Sequence, residues 1–315
     1  MKSQKPGLSL VARQYGVLLM QLLRFLLHVT AFVATSLDGI QWHERENLIS
    51  EGRRMAETVC VESEKQIAKV LLNRPETFNA FDLHMVELFA SRLTALAVDD
   101  SVRGVVISGA GKAFCAGGDL RWAQSFPQGP SSAFHVLAAH FHQAILEIRR
   151  MSKPVIAAVN GMAAGGGFSL ALACDFRVMD KSAVLRQAYT SNGLCIDGGG
   201  TFTLPRLVGL ARALEIAAFD RAISSEQALA WGLTTKIVED GRSVEEALQM
   251  ARELASGSLN SFGWSKRLLT DSFNTAFEAQ IERERTGLCS CAAHPDGKEG
   301  LQAFVEKRKP AFRVN

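Results

Sequence analysis

KPVIAAVNGMAAGGGFSLALACD, residues 153–175, passes from an apolar run through a turn into three consecutive glycines and then into a helix-spaced apolar run. VIAAV (155–159) has no polar position, the pattern of a strand buried on both faces of a parallel sheet. A strand that feeds a helix through a glycine turn is one unit of an α/β chain. The same order stands upstream, where the apolar run GVVIS (104–108) leads into a second glycine loop, AFCAGGDL (113–120). Both loops are therefore expected at the carboxyl ends of neighbouring parallel strands, where such sheets place their sites.

Working outward, TVCVE (58–62) and IAKVLL (67–72) read as hairpin strands, and Asn73-Arg74-Pro75 breaks the pattern. Asp82 can cap a helix over 83–97, whose Met85, Val86, Leu88, Phe89, Leu93 and Leu96 keep helical spacing. A helix is expected over 131–151, another from the glycines to about 174, and a strand over FRVMD (176–180). Beyond about 243 the strand signals stop, and helical patterns run on with breaks at Gly257, near Asn274 and at Pro295. The expected organisation is an N-terminal extension (1–54), an α/β core (55–255) and a helical C-terminal region (256–315).

Composition narrows the function classes. A chain of 315 residues that is 47% hydrophobic can bury a large core. The extension holds seven basic and four acidic side chains, so the excess of 35 basic over 32 acidic residues resides there and the remainder is balanced. No basic stripe interleaved with aromatics appears, which argues against nucleic acid as a partner. The six cysteines lack CxxC pairs and read as reduced core residues. Cys289 and Cys291 have no second pair at zinc spacing, so no metal is expected.

The extension is apolar, but Arg13 and Arg24 interrupt it, and its longest stretch free of charge runs only from Phe25 to Leu37. That is too short to span a bilayer. It reads as a targeting peptide, an interfacial helix, or sequence ahead of a true start at Met55. The expected location is cytoplasmic, or an organelle matrix if a targeting peptide is present, and membrane contact is expected only through this extension.

Glycine loops expose backbone N–H groups, and a loop that opens a helix adds the positive end of the helix dipole. Two such N–H groups aimed at one point make an oxyanion hole. A phosphate-binding loop is excluded, since Gly111-Lys112 is followed by Ala113, and no GxSxG elbow is present.

These loops, together with Asn73-Arg74-Pro75, Asn79-Ala80, GGGTFTLPRLVG (198–209), SSEQALAWGL (224–233) and EGLQAFVEKRKPAF (299–312), resemble the crotonase (enoyl-CoA hydratase/isomerase) superfamily from residue 57 to the end. The resemblance implies an α/β spiral of repeated ββα units, a C-terminal helical region used in trimer assembly, and an acyl-CoA thioester as substrate. It implies a trimer or a dimer of trimers, and no cofactor beyond the coenzyme A of the substrate itself. It places the oxyanion donors at the amides of Gly118 and Gly166, and lays the adenine and pantetheine along Ala116 to Leu120.

The sequence departs from the hydratase pattern at the two glutamates, which fall at Ser169 and Tyr189. Neither is a carboxylate base. An acid appears instead at Asp197, a position that matches the catalytic aspartate of dienoyl-CoA and ring-1,2-epoxyphenylacetyl-CoA isomerases and the nucleophile of 4-chlorobenzoyl-CoA dehalogenase. Its bland alternative is to cap the helix that follows. One carboxylate suits double-bond isomerisation, whereas hydration needs water held by a pair.

A second enzyme reading uses Asp197 as nucleophile with His142 as base, because the dehalogenase carries its histidine there and an indole at Tyr189. Against it, Gly118 stands where that enzyme has a phenylalanine. A third reading is an acyl-CoA-binding protein without turnover. The implied catalytic set is Gly118, Gly166, Asp197, His142 and Tyr189. The implied substrate-binding set is Ala80, Ala116, Gly118, Asp119, Leu120, Gly165, Gly166 and Ser169. Asp175 is expected to be a structural acid, Cys195 to line the pocket, and Lys266, Arg267, Lys307, Arg308 and Lys309 to approach the CoA phosphates or face solvent. His135 and His142 share a helix face without a carboxylate to complete a metal site.

Overall fold

Residues 57–312 are described by a computed structural model; the extension assigned to residues 1–54 lies outside them. Strands β1 (Val59–Glu64) and β2 (Ile67–Leu72) form an antiparallel hairpin. Lys65 and Gln66, at its two-residue turn, both have positive φ (49° and 66°), as the right-handed twist of a hairpin requires.

From β3 (Gly104–Gly109) onward the chain repeats one move. Each repeat lays one strand in a six-stranded sheet and a shorter one in a four-stranded sheet, then returns through helix. The pairs are β3 with β4 (Ala113–Cys115), β5 (Val155–Val159) with β6 (Met162–Ala164), and β7 (Phe176–Asp180) with β8 (Val184–Arg186). The last pair arrives in reverse, β9 (Ile223–Ser224) before β10 (Lys236–Val238). The large sheet runs β1-β2-β3-β5-β7-β10 and the small one β4-β6-β8-β9. This is the expected spiral of ββα units.

The continuous apolar runs follow from burial on both faces. One face of the large sheet packs Val70, Val105, Ile107 and Ala157 against α1 (Leu83–Val98) and α3 (Gly129–Arg150), on which Phe89, Leu93 and Ile148 are fully buried. The other packs Ile67, Val106, Ile156 and Val178 under Ala247, Ala251 and Ala255 of α7 (Ser243–Ala255). Those alanines recur every fourth residue, so one smooth helix stripe approaches the sheet closely. The expected cap is present: Asp82 accepts the Met85 amide proton at 2.8 Å.

The remaining helices are α2 (Leu120–Ser125), α4 (Gly166–Ala173), α5 (Gly200–Phe219) and α6 (Ser225–Ala230), with α8 (Leu259–Asp271), α9 (Phe277–Ala293) and α10 (Pro295–Val305) forming the C-terminal region. The cysteine expectation is corrected in part. Cys115 and Cys174 are buried, with burial pushing their thiols up to about 12, but Cys195 and Cys289 are exposed.

Candidate active site

The glycine loops start one strand later than the sequence suggests. A three-residue strand intervenes after each long one, and the loops leave β4 and β6, which pair in parallel with Ala113 opposite Met162. The two loops meet directly. Gly117, at φ 94°, approaches so closely that a Cβ placed on it would lie 2.8 Å from the Gly166 nitrogen. Only glycine combines that positive φ with that contact.

The first loop is fastened to the segment before α1. Ala116 donates to the Phe78 carbonyl at 3.0 Å, Phe81 to Gly117 at 2.7 Å and Asp119 to Phe81 at 2.9 Å. Asn79 is fully buried, and its side-chain amide donates to the carbonyls of Ala110, Ala113 and Phe114. Arg74 donates to the Ala80 carbonyl at 2.6 Å and bridges Asp82 and Asp119 at 3.3 and 3.2 Å. The sequence reading took Asn73-Arg74-Pro75 as a break and missed this clamp. The signal was Arg74 itself, a cation placed just ahead of a loop that has a single acid to pair with.

Neither the Gly118 nor the Gly166 amide is taken by another backbone group among the described residues. Gly166 opens α4, so its N–H belongs to the unpaired first turn. Both glycines line one cavity of about 450 Å³, together with Phe81, Phe134, Phe141, Tyr189, Cys195 and Asp197. Two free donors and one carboxylate thus share an otherwise mostly apolar hollow.

Asp197 does not cap the helix that follows it. The cap position of α5 is Gly199, with no side-chain capping bond. The Asp197 carboxylate accepts a hydrogen bond on Oδ1 from the Tyr189 hydroxyl, while Oδ2 lies 3.8 Å from His142 Nε2. His142 Nε2 in turn accepts the Gly198 amide proton at 3.3 Å. Burial, and then the charge of Asp197, push the Tyr189 phenol above its ordinary value.

The remaining expected site residues divide. Ala116, Leu120 and Gly165 line the cavity, as do His135 and Cys195. Asp119 uses its carboxylate on Arg74 and on the amides of Arg121 and Trp122 at the start of α2. Ala80 is buried behind the wall. Ser169 is fully buried, and its hydroxyl lies 3.4 Å from that of Tyr189. His142 stands beside Asp197 but lines a larger, neighbouring cavity of about 740 Å³. The one carboxylate lining that larger space, Asp175, is already tied to Lys266 at 2.8 Å.

Lys266 was expected near phosphates or in solvent and is in neither place. It is buried and donates to the Ile148 carbonyl at 2.7 Å and to Asp175. Asp175 also accepts the Val155 amide proton at 2.9 Å, the structural role expected of it. Arg308 is engaged by Glu299 and Glu306.

The family model for enoyl-CoA hydratase/isomerase matches residues 62–315. The chain belongs to the enoyl-CoA hydratase/isomerase family. Among the relatives of this family member is 1,2-epoxyphenylacetyl-CoA isomerase of Escherichia coli (strain K12), 35% identical over 259 residues that cover 82% of this chain and 99% of that one. 4-Chlorobenzoyl coenzyme A dehalogenase-2 of Arthrobacter sp is 31% identical over 82% of this chain and 94% of its own. The crystal structure of an enoyl-CoA hydratase from Polaromonas sp. JS666 superposes with a TM-score of 0.76 at 36% identity, covering 81% of this chain and 99% of that one. No helix among the described residues is long and apolar enough to cross a membrane.

Proposed function

We propose that this family member moves a carbon–carbon double bond in an acyl-CoA thioester, with Asp197 as the acid/base and the amides of Gly118 and Gly166 as oxyanion donors. The supporting observation is a single carboxylate sharing a cavity with two unspent amides, while the positions of the hydratase glutamates hold Ser169 and Tyr189. The thioester carbonyl would sit between the amides, so that its α- or γ-carbon faces Asp197. The carboxylate takes a proton from that carbon, and the C–H electron pair moves through the conjugated system onto the thioester oxygen. The two N–H groups stabilise this dienolate, each donor contributing about 3–4 kcal/mol to the barrier lowering. Asp197 returns the proton two or four carbons along, and the electrons fall back to leave the double bond displaced.

The dehalogenase-like reading has its own support in the 3.8 Å approach of His142 to Asp197. It requires the Nε2 lone pair to accept a proton from water, and the Gly198 amide occupies that lone pair. Isomerisation asks nothing of His142. An acyl-CoA binder without turnover would use the same cavity and amides.

One panel separates the three. Wild type, Asp197→Asn and His142→Ala are assayed with 3-enoyl-, 3,5-dienoyl- and 2-enoyl-CoA thioesters and with a 4-halobenzoyl-CoA. Isomerisation of an unsaturated thioester is expected, with kcat lowered by about 10²–10⁴ in Asp197→Asn. Efficient water addition to crotonyl-CoA that survives the substitution, halide release that depends on His142, or thioester binding without any turnover would each refute the proposal.

A further inference from the structure

Tyr189 stands where a hydratase would carry an acid, yet isomerisation by Asp197 assigns it no step. Its surroundings give it a specific one. The side chain is buried, and its hydroxyl has two neighbours, the Ser169 hydroxyl at 3.4 Å and Oδ1 of Asp197. The chain Ser169–Tyr189–Asp197 therefore ends on one oxygen of the carboxylate and leaves the other alone. Among the described residues no group makes a hydrogen bond to that other oxygen. His142, from α3, lies 3.8 Å away with its Nε2 lone pair already taken by the Gly198 amide. His135 and Cys195 line the same cavity as Asp197, Gly118 and Gly166, and with Oδ1 held by Tyr189 the oxygen left without a hydrogen bond is Oδ2.

We propose that Tyr189 is a positioning residue that ties down Oδ1 of Asp197, so that Oδ2 alone takes the proton from the thioester and returns it on the same face. This rests on the isomerase reading and specifies it. A free carboxylate rotates about its last bond and presents either oxygen; one held by a phenol has a single orientation, and orientation of this kind governs proton-transfer rates strongly. The buried phenol keeps its proton, because burial and the adjacent carboxylate both oppose its ionisation. Toward the carboxylate it can therefore only donate. The atom balance closes without a second base: one C–H bond breaks as an O–H bond forms on Oδ2, and that same O–H breaks as the new C–H bond forms. A proton that stays on one oxygen between the two steps is carried from carbon to carbon, giving suprafacial transfer with measurable retention of label.

The test uses a thioester deuterated at the donor carbon, turned over in ordinary water. Wild type should deliver part of the deuterium to the acceptor carbon. Tyr189→Phe should lower kcat by about tenfold or more with KM little changed, and reduce the delivered label.

An isosteric probe guards against a variant that fails to fold. The chain has two tyrosines, Tyr15 and Tyr189, so uniform 3-fluorotyrosine gives two ¹⁹F resonances. The signal of Tyr189, identified as the one that survives in Tyr15→Phe, should shift in Asp197→Asn. Wild-type kcat and label delivery in Tyr189→Phe, or a Tyr189 fluorine signal indifferent to Asp197→Asn, would overturn the proposal. Full turnover in Asp197→Asn would instead remove the base itself, so the two readings fail by different results.

Discussion

Ser169 shows how a residue's neighbours determine what chemistry its position can hold. It is fully buried on α4, facing the glycines that open α5. A Cβ at Gly198 would lie 3.0 Å from the Ser169 Cβ, and one at Gly200 would lie 2.7 Å from the Ser169 hydroxyl. The backbone of 198–200 thus fills the space that a longer acid at 169 would need. Restoring the hydratase-like residue by Ser169→Glu should therefore not create a hydratase. It should destabilise the fold by about 3 kcal/mol through overpacking and the burial of an unpaired carboxylate. Urea titration measures the loss, and a crotonyl-CoA hydration assay should show no gain. The sequence revealed that the acid was missing, because that needs only a residue type at a motif position. It could not reveal why, because the obstructing glycines are thirty residues away and meet Ser169 only through tertiary packing.

At the scale of elements, legibility followed length. The five-residue and six-residue strands, such as 155–159, have enough positions to carry an apolar pattern, and they stand where periodicity put them. The strands β4, β6 and β8 have three residues each, too few for alternation to register; the sequence reading merges β4 and β6 into loops and assigns nothing to β8. The docking of α8 was equally hidden, since it includes the buried contacts of Lys266 with Asp175 and with the Ile148 carbonyl, made between residues far apart in sequence. Burial holds the Asp175 carboxyl above its usual range, and the Lys266 ammonium pulls it back only in part. A raised native value means that the folded state keeps a proton the unfolded state has lost, so stability is full below the unfolded value and declines as pH rises through the native one. Lys266→Met removes the compensating charge. It should raise that native value further, steepen the loss of stability as pH rises, and cost about 3–5 kcal/mol at neutral pH. Asp175→Asn in the same background should recover much of the loss, which thermal melts across a pH series would read.

At the scale of the molecule, the apolar surface left uncovered among the described residues is concentrated on the later helices. Leu210 and Leu214 of α5 are 67% and 60% exposed and stand four residues apart on one helix face. Phe273 follows α8, Phe277 and Leu288 belong to α9, and Leu301 and Phe304 to α10, all of them exposed. Exposed apolar residues scattered singly need no explanation, but a run of them across consecutive elements marks an interaction surface. The resemblance drawn from the sequence implies a trimer or a dimer of trimers, with the C-terminal helices in the assembly, and this distribution is what such a use of the helices would leave on an isolated chain. Sedimentation velocity of the full chain should therefore give a species of three or six copies. Leu210→Glu with Leu214→Glu should shift it toward smaller species, since burying two carboxylates in a subunit contact costs several kcal/mol while exposing them on a free surface costs almost nothing. The far-UV circular dichroism should stay unchanged, because neither leucine belongs to the buried core. A wild-type chain that sediments as a monomer at micromolar concentration would overturn the expectation that these helices assemble.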